Sequence, residues 1–321
     1  MPEPAPSRIV SWNLNGIRAA HRQGFGAWLA AERDRGAVFV GLQEVRAQPS
    51  EVPAELAGVP GLWSAFVGAE RKGYSGVGAY APFTPDDVVT SLGVPELDRE
   101  ARYLEVRFGE ATLVSAYFPN GNGALLPNGK RSNDRIPFKL DFYRAVAARH
   151  APALARGERV VVMGDFNTAH REIDLARPRE NRETSGFTDV ERAELDVWLA
   201  AGWVDSFRHL HPDTPDAYSW WSQRFGVRAR NVGWRIDLVM VSPAVVPTLR
   251  EAFIDAHVGG SDHCPVGIAV DAQAFFGRPL TLATQPEPTA PRATSRRRAE
   301  TTPSPATTRP RRRGANPESS G

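Results

Sequence analysis

Short runs of β-branched and aromatic residues recur along this chain, and most of them end in a small polar cluster. Arg8–Trp12, Val38–Leu42, Gly76–Ala81, Tyr103–Phe108, Thr112–Tyr117, Arg159–Met163, Arg235–Val241 and Pro265–Val270 read as strands. Between several of them the apolar period changes to that of a helix. In 24–35, Phe25, Trp28 and Leu29 stand at i, i+3 and i+4. Pro137 opens a second helix with Phe138, Phe142, Tyr143 and Val146 on one stripe. Thr188-x-x-Glu191 is a capping box for a third, with Leu195, Trp198 and Leu199 facing inward. Gly109-Glu110-Ala111 is a hairpin-length link, so part of the sheet is antiparallel. So many strands in one domain suit an α/β fold of two packed sheets with helices outside.

The polar clusters follow a topological rule. Asn13 and Asn15 follow the first strand, Glu44 the second, Tyr117 and Asn120 close a third, and Asp165 and Asn167 a fourth. Asp237 and Ser261-Asp262-His263 stand instead at strand beginnings. A strand antiparallel to its neighbour starts at the edge where the neighbour ends, so both sets converge on one mouth. Strand ends are where α/β proteins bind ligands.

Residue types at this mouth suggest chemistry. Gly164-Asp-Phe-Asn167 on its own fits first an Asx turn that closes a strand, and otherwise a pair addressing one water. In the second reading Asp165 accepts the water's proton and Asn167 orients it. Glu44 is a hard oxygen donor suited to Mg²⁺ or Mn²⁺, with Asn13 and Asp262 near it; alone it also fits a surface carboxylate. His263 and Asp262 are neighbours that point apart on a strand, so Asp237 is the better orienting partner for the imidazole. Cys264 precedes Pro265 and an apolar run, which reads as a packed core thiol and not a nucleophile. The spacing Gly73-Tyr-Ser-Gly76-Val-Gly78 lacks the dinucleotide order, no P-loop occurs, and no Cys/His cluster suggests zinc.

The aromatic residues bear on the substrate. Trp220, Trp221 and Trp234 share a short interval with Arg224, Arg228, Arg230 and Arg235. Flat walls with guanidinium groups suit a nucleotide or an extruded sugar beside phosphates; the same pattern suits core tryptophans with a solvated arginine rim. Arg71, Lys72 and Tyr74 form a second candidate phosphate contact.

Composition refines this picture at one end. The 321 residues carry a formal charge of +2, yet 278–321 holds nine arginines against three glutamates, net +6. The remainder carries −4. This segment, rich in Pro, Thr, Ala and Ser, is expected to be disordered from 277 onward, either as a nucleic-acid tether or as a solvated extension. The expected organisation is therefore a disordered 1–7, a domain over 8–276 and a basic tail. No run is long and apolar enough for a bilayer, the N-terminus lacks a secretory pattern, and one cysteine suits a reducing compartment. A cytoplasmic monomer without membrane contact is the expectation.

Eight ordered segments make a more specific pattern. They are Ser11-Trp-Asn-Leu-Asn-Gly-Ile-Arg18, Gly41-Leu-Gln-Glu-Val45, Gly73-Tyr-Ser-Gly-Val-Gly78 and Ala116-Tyr-Phe-Pro-Asn120. They continue through Gly164-Asp-Phe-Asn-Thr-Ala-His-Arg-Glu-Ile-Asp174, Thr184-Ser-Gly-Phe187, Asn231-Val-Gly-Trp-Arg-Ile-Asp237 and Gly260-Ser-Asp-His-Cys264. Together they resemble the exonuclease III family of abasic-site (AP) endonucleases, within the endonuclease/exonuclease/phosphatase superfamily, over about 8–272.

The resemblance implies a DNase I-like four-layer α/β sandwich, two mixed sheets flanked by helices. It also implies Mg²⁺-dependent hydrolysis of the phosphodiester 5′ to abasic sites in double-stranded DNA, with 3′-phosphodiesterase, 3′-phosphatase and 3′→5′ exonuclease activity on 3′-blocked ends. Carried onto this chain, Glu44 is the principal metal ligand, with Asn13 and Asp262 in or near the shell. Asp165 deprotonates water beside Asn167, His263 oriented by Asp237 stabilises the phosphate, and Tyr117 serves a phosphate oxygen or the leaving side. Asn120 and Tyr74 contact the backbone, Trp220, Trp234 and Ile236 line the sugar pocket, and Arg224 is a candidate for entering the duplex. Small Ser185 and Gly186 leave room at the pocket rim. A 3′ exonuclease/phosphatase with little abasic-site cutting is the nearest alternative. An inositol or lipid phosphatase and a catalytically silent DNA-binding module are further ones. In a bacterium such an enzyme would work at the nucleoid.

Overall fold

The computed structural model describes residues 6–127, 129, 131–223 and 226–283. The sequence-predicted duplex-entering Arg224, most of the tail and 1–5 of the N-terminus lie outside the described residues. Among those described, twelve strands form two six-stranded sheets. They are β1 Ser7–Asn13, β2 Ala37–Gln43, β3 Trp63–Val67, β4 Val77–Ala81, β5 Asp87–Val89 and β6 Tyr103–Phe108. Then come β7 Ala111–Tyr117, β8 Arg159–Asp165, β9 Val204–Asp205, β10 Asp237–Val241, β11 Leu249–Ile254 and β12 Val266–Val270. One sheet has the order β11-β12-β1-β2-β4-β3 and the other β5-β6-β7-β8-β10-β9. Each has one parallel pair at its centre, β1 with β2 and β7 with β8, flanked by antiparallel partners.

Alternation along each central strand builds the layers. On β8, Val161 and Met163 face the other sheet and pack with Ile9, Phe39, Leu113, Val239 and Ile268. Val160 and Val162 face outward, onto a helical layer. That layer is α2 (Ile136–Ala155) and α3 (Asp189–Ala200), which bury Phe142, Tyr143, Val146, Leu195 and Trp198 on the second sheet. On the first sheet α1 (Phe25–Asp34) buries Phe25 and Leu29 against Val10, Val40 and Tyr80. The result is the expected four-layer α/β sandwich. Leu199 corrects one detail, since it is 37% exposed at the solvent side of α3 while Leu195 and Trp198 are buried.

The eight strands expected from the sequence all form; β3, β5, β9 and β11 are additional. All four lie at or next to sheet edges, where half-polar alternation and short length blur the apolar signal. The folded chain also extends past the expected boundary at 276. Thr84 N–H donates to Thr281 O (3.0 Å), Ala283 N–H to Pro82 O (2.8 Å), and Arg278 pairs with Asp86. No helix among the described residues is long and apolar enough to cross a membrane.

Gly164 shows how tightly the strand ends are fitted. Its φ is +148°, and a Cβ there would fall 1.8 Å from the carbonyl oxygen of Ala116 on β7. Backbone cannot retreat from that contact without breaking the β7–β8 ladder. Gly164→Ala should therefore destabilise by about 3 kcal/mol, the upper end for overpacking. A thermal melt showing an unchanged midpoint would refute this reading of the turn.

Candidate active site

The parallel and antiparallel registers put the predicted polar residues at one edge. Asp165, last on β8, pairs with Tyr117 on parallel β7 and with Asp237 on antiparallel β10. Asn13 ends β1 opposite Gln43, with Glu44 next in the chain. The loop before β12 brings in Asp262 and His263. These edges enclose a cavity of about 260 Å³ lined by Glu44, Tyr117, Asn120, Asp165, Asn167, Trp220, Trp234, Ile236, Asp262 and His263, among others.

Asp165 is the hub. Its Oδ1 accepts from the backbone N–H of Asn167 (2.8 Å), so the Asx turn anticipated from the sequence is present. Its Oδ2 accepts from Asn13 Nδ2 (2.9 Å) and Asn167 Nδ2 (3.2 Å). Asn167 holds φ +51°, with its amide also donating to Phe118 O and its oxygen accepting from Asn120. The turn and the chemical pair are thus one object: the constraint that closes the strand also fixes the carboxylate.

His263 is buried, with Nδ1 2.8 Å from Asp237 Oδ2 and Nε2 3.8 Å from Asp165 Oδ2. Burial alone would favour the neutral ring, but Asp237 and then Asp165 outweigh it and push the imidazole up to about 10. It therefore carries its proton at neutral pH. Burial pushes Asp165 up to about 7, His263 opposes, and Asp237 and Glu44 add to the rise. Tyr117 remains a neutral phenol, since burial and then Glu44 raise it well above its ordinary value. Arg102 supports Tyr117 from behind, 4.3 Å from its ring and donating to its carbonyl oxygen.

Glu44 accepts from Asn13 Nδ2 (3.0 Å) and pairs with Arg46. Ligand atoms of Glu44, Asp165 and His263 lie within 4.8 Å of one another. With His263 protonated and held by Asp237, the oxygens of Glu44 and Asp165 are the donors left for a cation. This donor set fits a hard divalent ion that keeps several waters. Of the other predicted ligands, Asn13 turns its amide nitrogen to both carboxylates while its oxygen accepts from Asn15 N–H. Asp262 stands aside, accepting from Asn15 Nδ2 (2.8 Å) and Trp220 Nε1 (3.2 Å).

Trp220 and Trp234 meet edge to face, 6.3 Å apart, and with Ile236 form the apolar wall; Thr184, Ser185 and Gly186 form the facing rim. Tyr74 is not in this lining and instead joins Arg102 and Glu100. The arginine–tryptophan cluster separates in space. Arg235 is buried in ion pairs with Asp174 and Asp205, Arg228 binds the carbonyls of Ala256, Val258 and Ser261, and Trp221 packs against Cys264. Cys264 is buried, and burial pushes its thiol up, as suits a core residue.

Sequence reasoning missed Arg46, Lys139 and Glu191's second task. Lys139 Nζ donates to Asn167 O and to Glu191, directly behind the turn. Its signal was present: Lys139 falls on the apolar stripe of α2 with Phe142, Tyr143 and Val146, where a lone cation needs a partner.

Comparison with known proteins agrees with this geometry. Residues 10–263 match the Endonuclease/Exonuclease/phosphatase family. The "Exodeoxyribonuclease" of Bacillus subtilis (strain 168) is 37% identical over 264 residues, covering 82% of this chain and 99% of that protein. The "DNA repair nuclease APEX1" of Danio rerio is 36% identical over 264 residues, with 82% and 81% covered. The solved "3'-5' exonuclease (NExo) from Neisseria Meningitidis" superposes with a TM-score of 0.71 at 25% identity, over 82% of this chain and 99% of that one. The chain belongs to the endonuclease/exonuclease/phosphatase family.

Proposed function

We propose that this chain is a Mg²⁺-dependent DNA-repair nuclease that cuts the phosphodiester 5′ to abasic sites and trims blocked 3′ ends. The observation that carries this reading is the union of two features in one cavity. An apolar wall of Trp220, Trp234 and Ile236 adjoins the Asp165–Asn167 turn and the His263 cation. At about 260 Å³ the cavity lies below the usual range for drug-sized ligands, roughly 300–1,000 Å³. It suits a bare sugar more than a whole nucleoside, and an abasic sugar is the one most readily extruded from a duplex.

In this reading Asp165 takes a proton from the attacking water, which Asn167 orients. Protonated His263, held by Asp237, faces the phosphoryl oxygens as their charge grows. Tyr117 offers its phenolic hydrogen to the phosphate or the departing 3′ oxygen. Glu44, with Asp165, would hold Mg²⁺ or Mn²⁺, which when bound supplies positive charge beside the same oxygens. Asn13 spaces the two carboxylates and Asp262 holds Trp220. Asn120 is the backbone contact at the cavity mouth and Tyr74 a further one outside its lining, while Arg224, outside the described residues, is kept as the candidate for entering the duplex. The same reading makes the protein a cytoplasmic monomer at the DNA, nucleoid-associated if its cell is bacterial.

A second reading has a specific support. The Neisseria protein of the same fold is named a 3′–5′ exonuclease. One cavity that seats a sugar at a strand end serves 3′ trimming equally well. Labelled duplex DNA with a single abasic analogue separates the two. Incision 5′ to the lesion that EDTA stops supports the first reading; stepwise 3′ shortening without incision supports the second.

Asp165→Asn and His263→Ala should each lower kcat by about 100- to 10,000-fold, the usual range for acid–base and charge-stabilising groups. Unchanged turnover in either would overturn its role. The pH dependence follows from the two perturbed groups. The base must be ionised, so the rate should fall about tenfold per unit of pH on the acid side, and a cation beside Asp165 should draw the midpoint of that limb below the value of about 7 it has without metal. The imidazole must keep its proton, so the rate should fall again above about 10. Asp237→Asn should move that alkaline limb to lower pH, and an unmoved limb would detach Asp237 from His263.

The basic segment is proposed as an electrostatic tether. Removing 284–321 deletes eight arginines and should flatten the salt dependence of DNA binding while leaving kcat intact. An unchanged slope would dispose of the tether.

A further inference from the structure

Two fully buried charges lie behind the cavity, away from its chemistry. Lys139 on α2 and Glu191 on α3 are both 0% exposed, with Nζ 2.6 Å from Glu191 Oε1. Lys139 Nζ also donates to the carbonyl oxygen of Asn167 at 2.6 Å. Glu191 Oε1 accepts from Ser185 Oγ (3.1 Å), and Oε2 accepts from Gly186 N–H (2.8 Å) and from both donors of Thr188. The pair therefore grips two loops at once. One is the Asp165–Asn167 turn and the other the Ser185–Gly186 rim of the cavity.

The two loops touch independently where the pair joins them. Ala169 N–H donates to Gly186 O at 2.8 Å. Gly186 has φ +97°, and a Cβ on it would meet Asn167 O at 3.0 Å and Trp234 Cζ3 at 3.3 Å. A small change in their spacing would therefore move the tryptophan wall relative to Asp165.

Stability alone does not call for these charges. Glu191 caps α3 through Thr188 without help from Lys139. Removing a buried ion pair in favour of apolar residues is often neutral or stabilising. Burial pushes Lys139 below its ordinary pKa, and Glu191 opposes that shift. A methionine at 139 would complete the apolar stripe of α2, but it could not reach the Asn167 carbonyl with a donor.

We propose that Lys139 and Glu191 are a positioning pair, which sets the spacing between the water-orienting turn and the sugar-pocket rim. The identity of the reaction rests on the function proposed above; the coupling of the two loops does not.

The test uses the full chain with Lys139→Met and with the double variant Lys139→Met/Glu191→Gln. The glutamine keeps an acceptor for Gly186 and Thr188 while leaving no unpaired buried charge. The single variant should melt at lower temperature than the double, which should melt near the wild type. Both should lose about 10- to 100-fold in kcat on whichever DNA the wild type cuts, with KM changed less than about threefold, as misplacement of a catalytic group predicts. Hydrogen exchange should rise together in 165–170 and 184–188 of the double variant, with β7 still protected. A double variant with wild-type kcat, or with unchanged exchange in those two segments, would overturn the proposal and leave the pair a packing element. If the wild type cuts no abasic-site DNA, the proposed function fails, while the exchange measurement still decides the coupling.

Discussion

Asp165 ends a strand whose two neighbours run in opposite directions, and register presents Tyr117 from one and Asp237 from the other. Direction is what assembles the site: a parallel neighbour contributes its last residue, an antiparallel one its first. The approach is so close that Gly164 leaves no room for a side chain against Ala116. The first sheet is tied to this edge beneath the site. Ser11 donates to Gln43, Gln43 to Ser115, and Ser115 to Leu42 O, a buried polar chain running from β1 and β2 to β7. Glu44 and Asn13 thereby reach Asp165 across the layer boundary.

Crowding of like charge then sets the chemistry. Glu44, Asp165, Asp237 and Asp262 gather around one imidazole. Desolvation makes each charge costly, so the cluster retains a proton on His263 and lifts Asp165 toward neutrality. Arg46 pairs with Glu44 from the open side, and a cation held among the carboxylate oxygens would relieve the same repulsion. The neutral phenol of Tyr117 belongs to the same balance, because a phenolate beside Glu44 would add to it.

Much of the site was legible because polar residues at the ends of apolar strands stand out against them. Glu44, Tyr117, Asp165, Asn167, Asp237 and His263 were found that way, and each reached the common edge. Less was legible where two residues of one type have different fates. Trp220 and Trp234 line the cavity while Trp221, next in the chain, is 2% exposed beside Cys264. Neighbouring side chains on extended backbone point apart, and no composition count distinguishes them. Arg235 fits neither of the two readings open to it, a phosphate contact or a solvated rim, because it is buried and consumed by Asp174 and Asp205.

By itself the sequence determined the central strands, three main helices and the candidate residues of one edge, because those depend on local period and on punctuation, while the four-layer class followed from the resemblance of its ordered motifs to a known family. Tertiary structure alone decided how each residue is used. It made Asn13 a spacer between two carboxylates and set Asp262 on Trp220. It also placed Lys139 and Glu191 behind the turn that began as Gly164-Asp-Phe-Asn167. The reason is physical. A side chain's protonation and orientation are set by what surrounds it in three dimensions, and here those surroundings come from segments 98 and 152 residues apart in the chain.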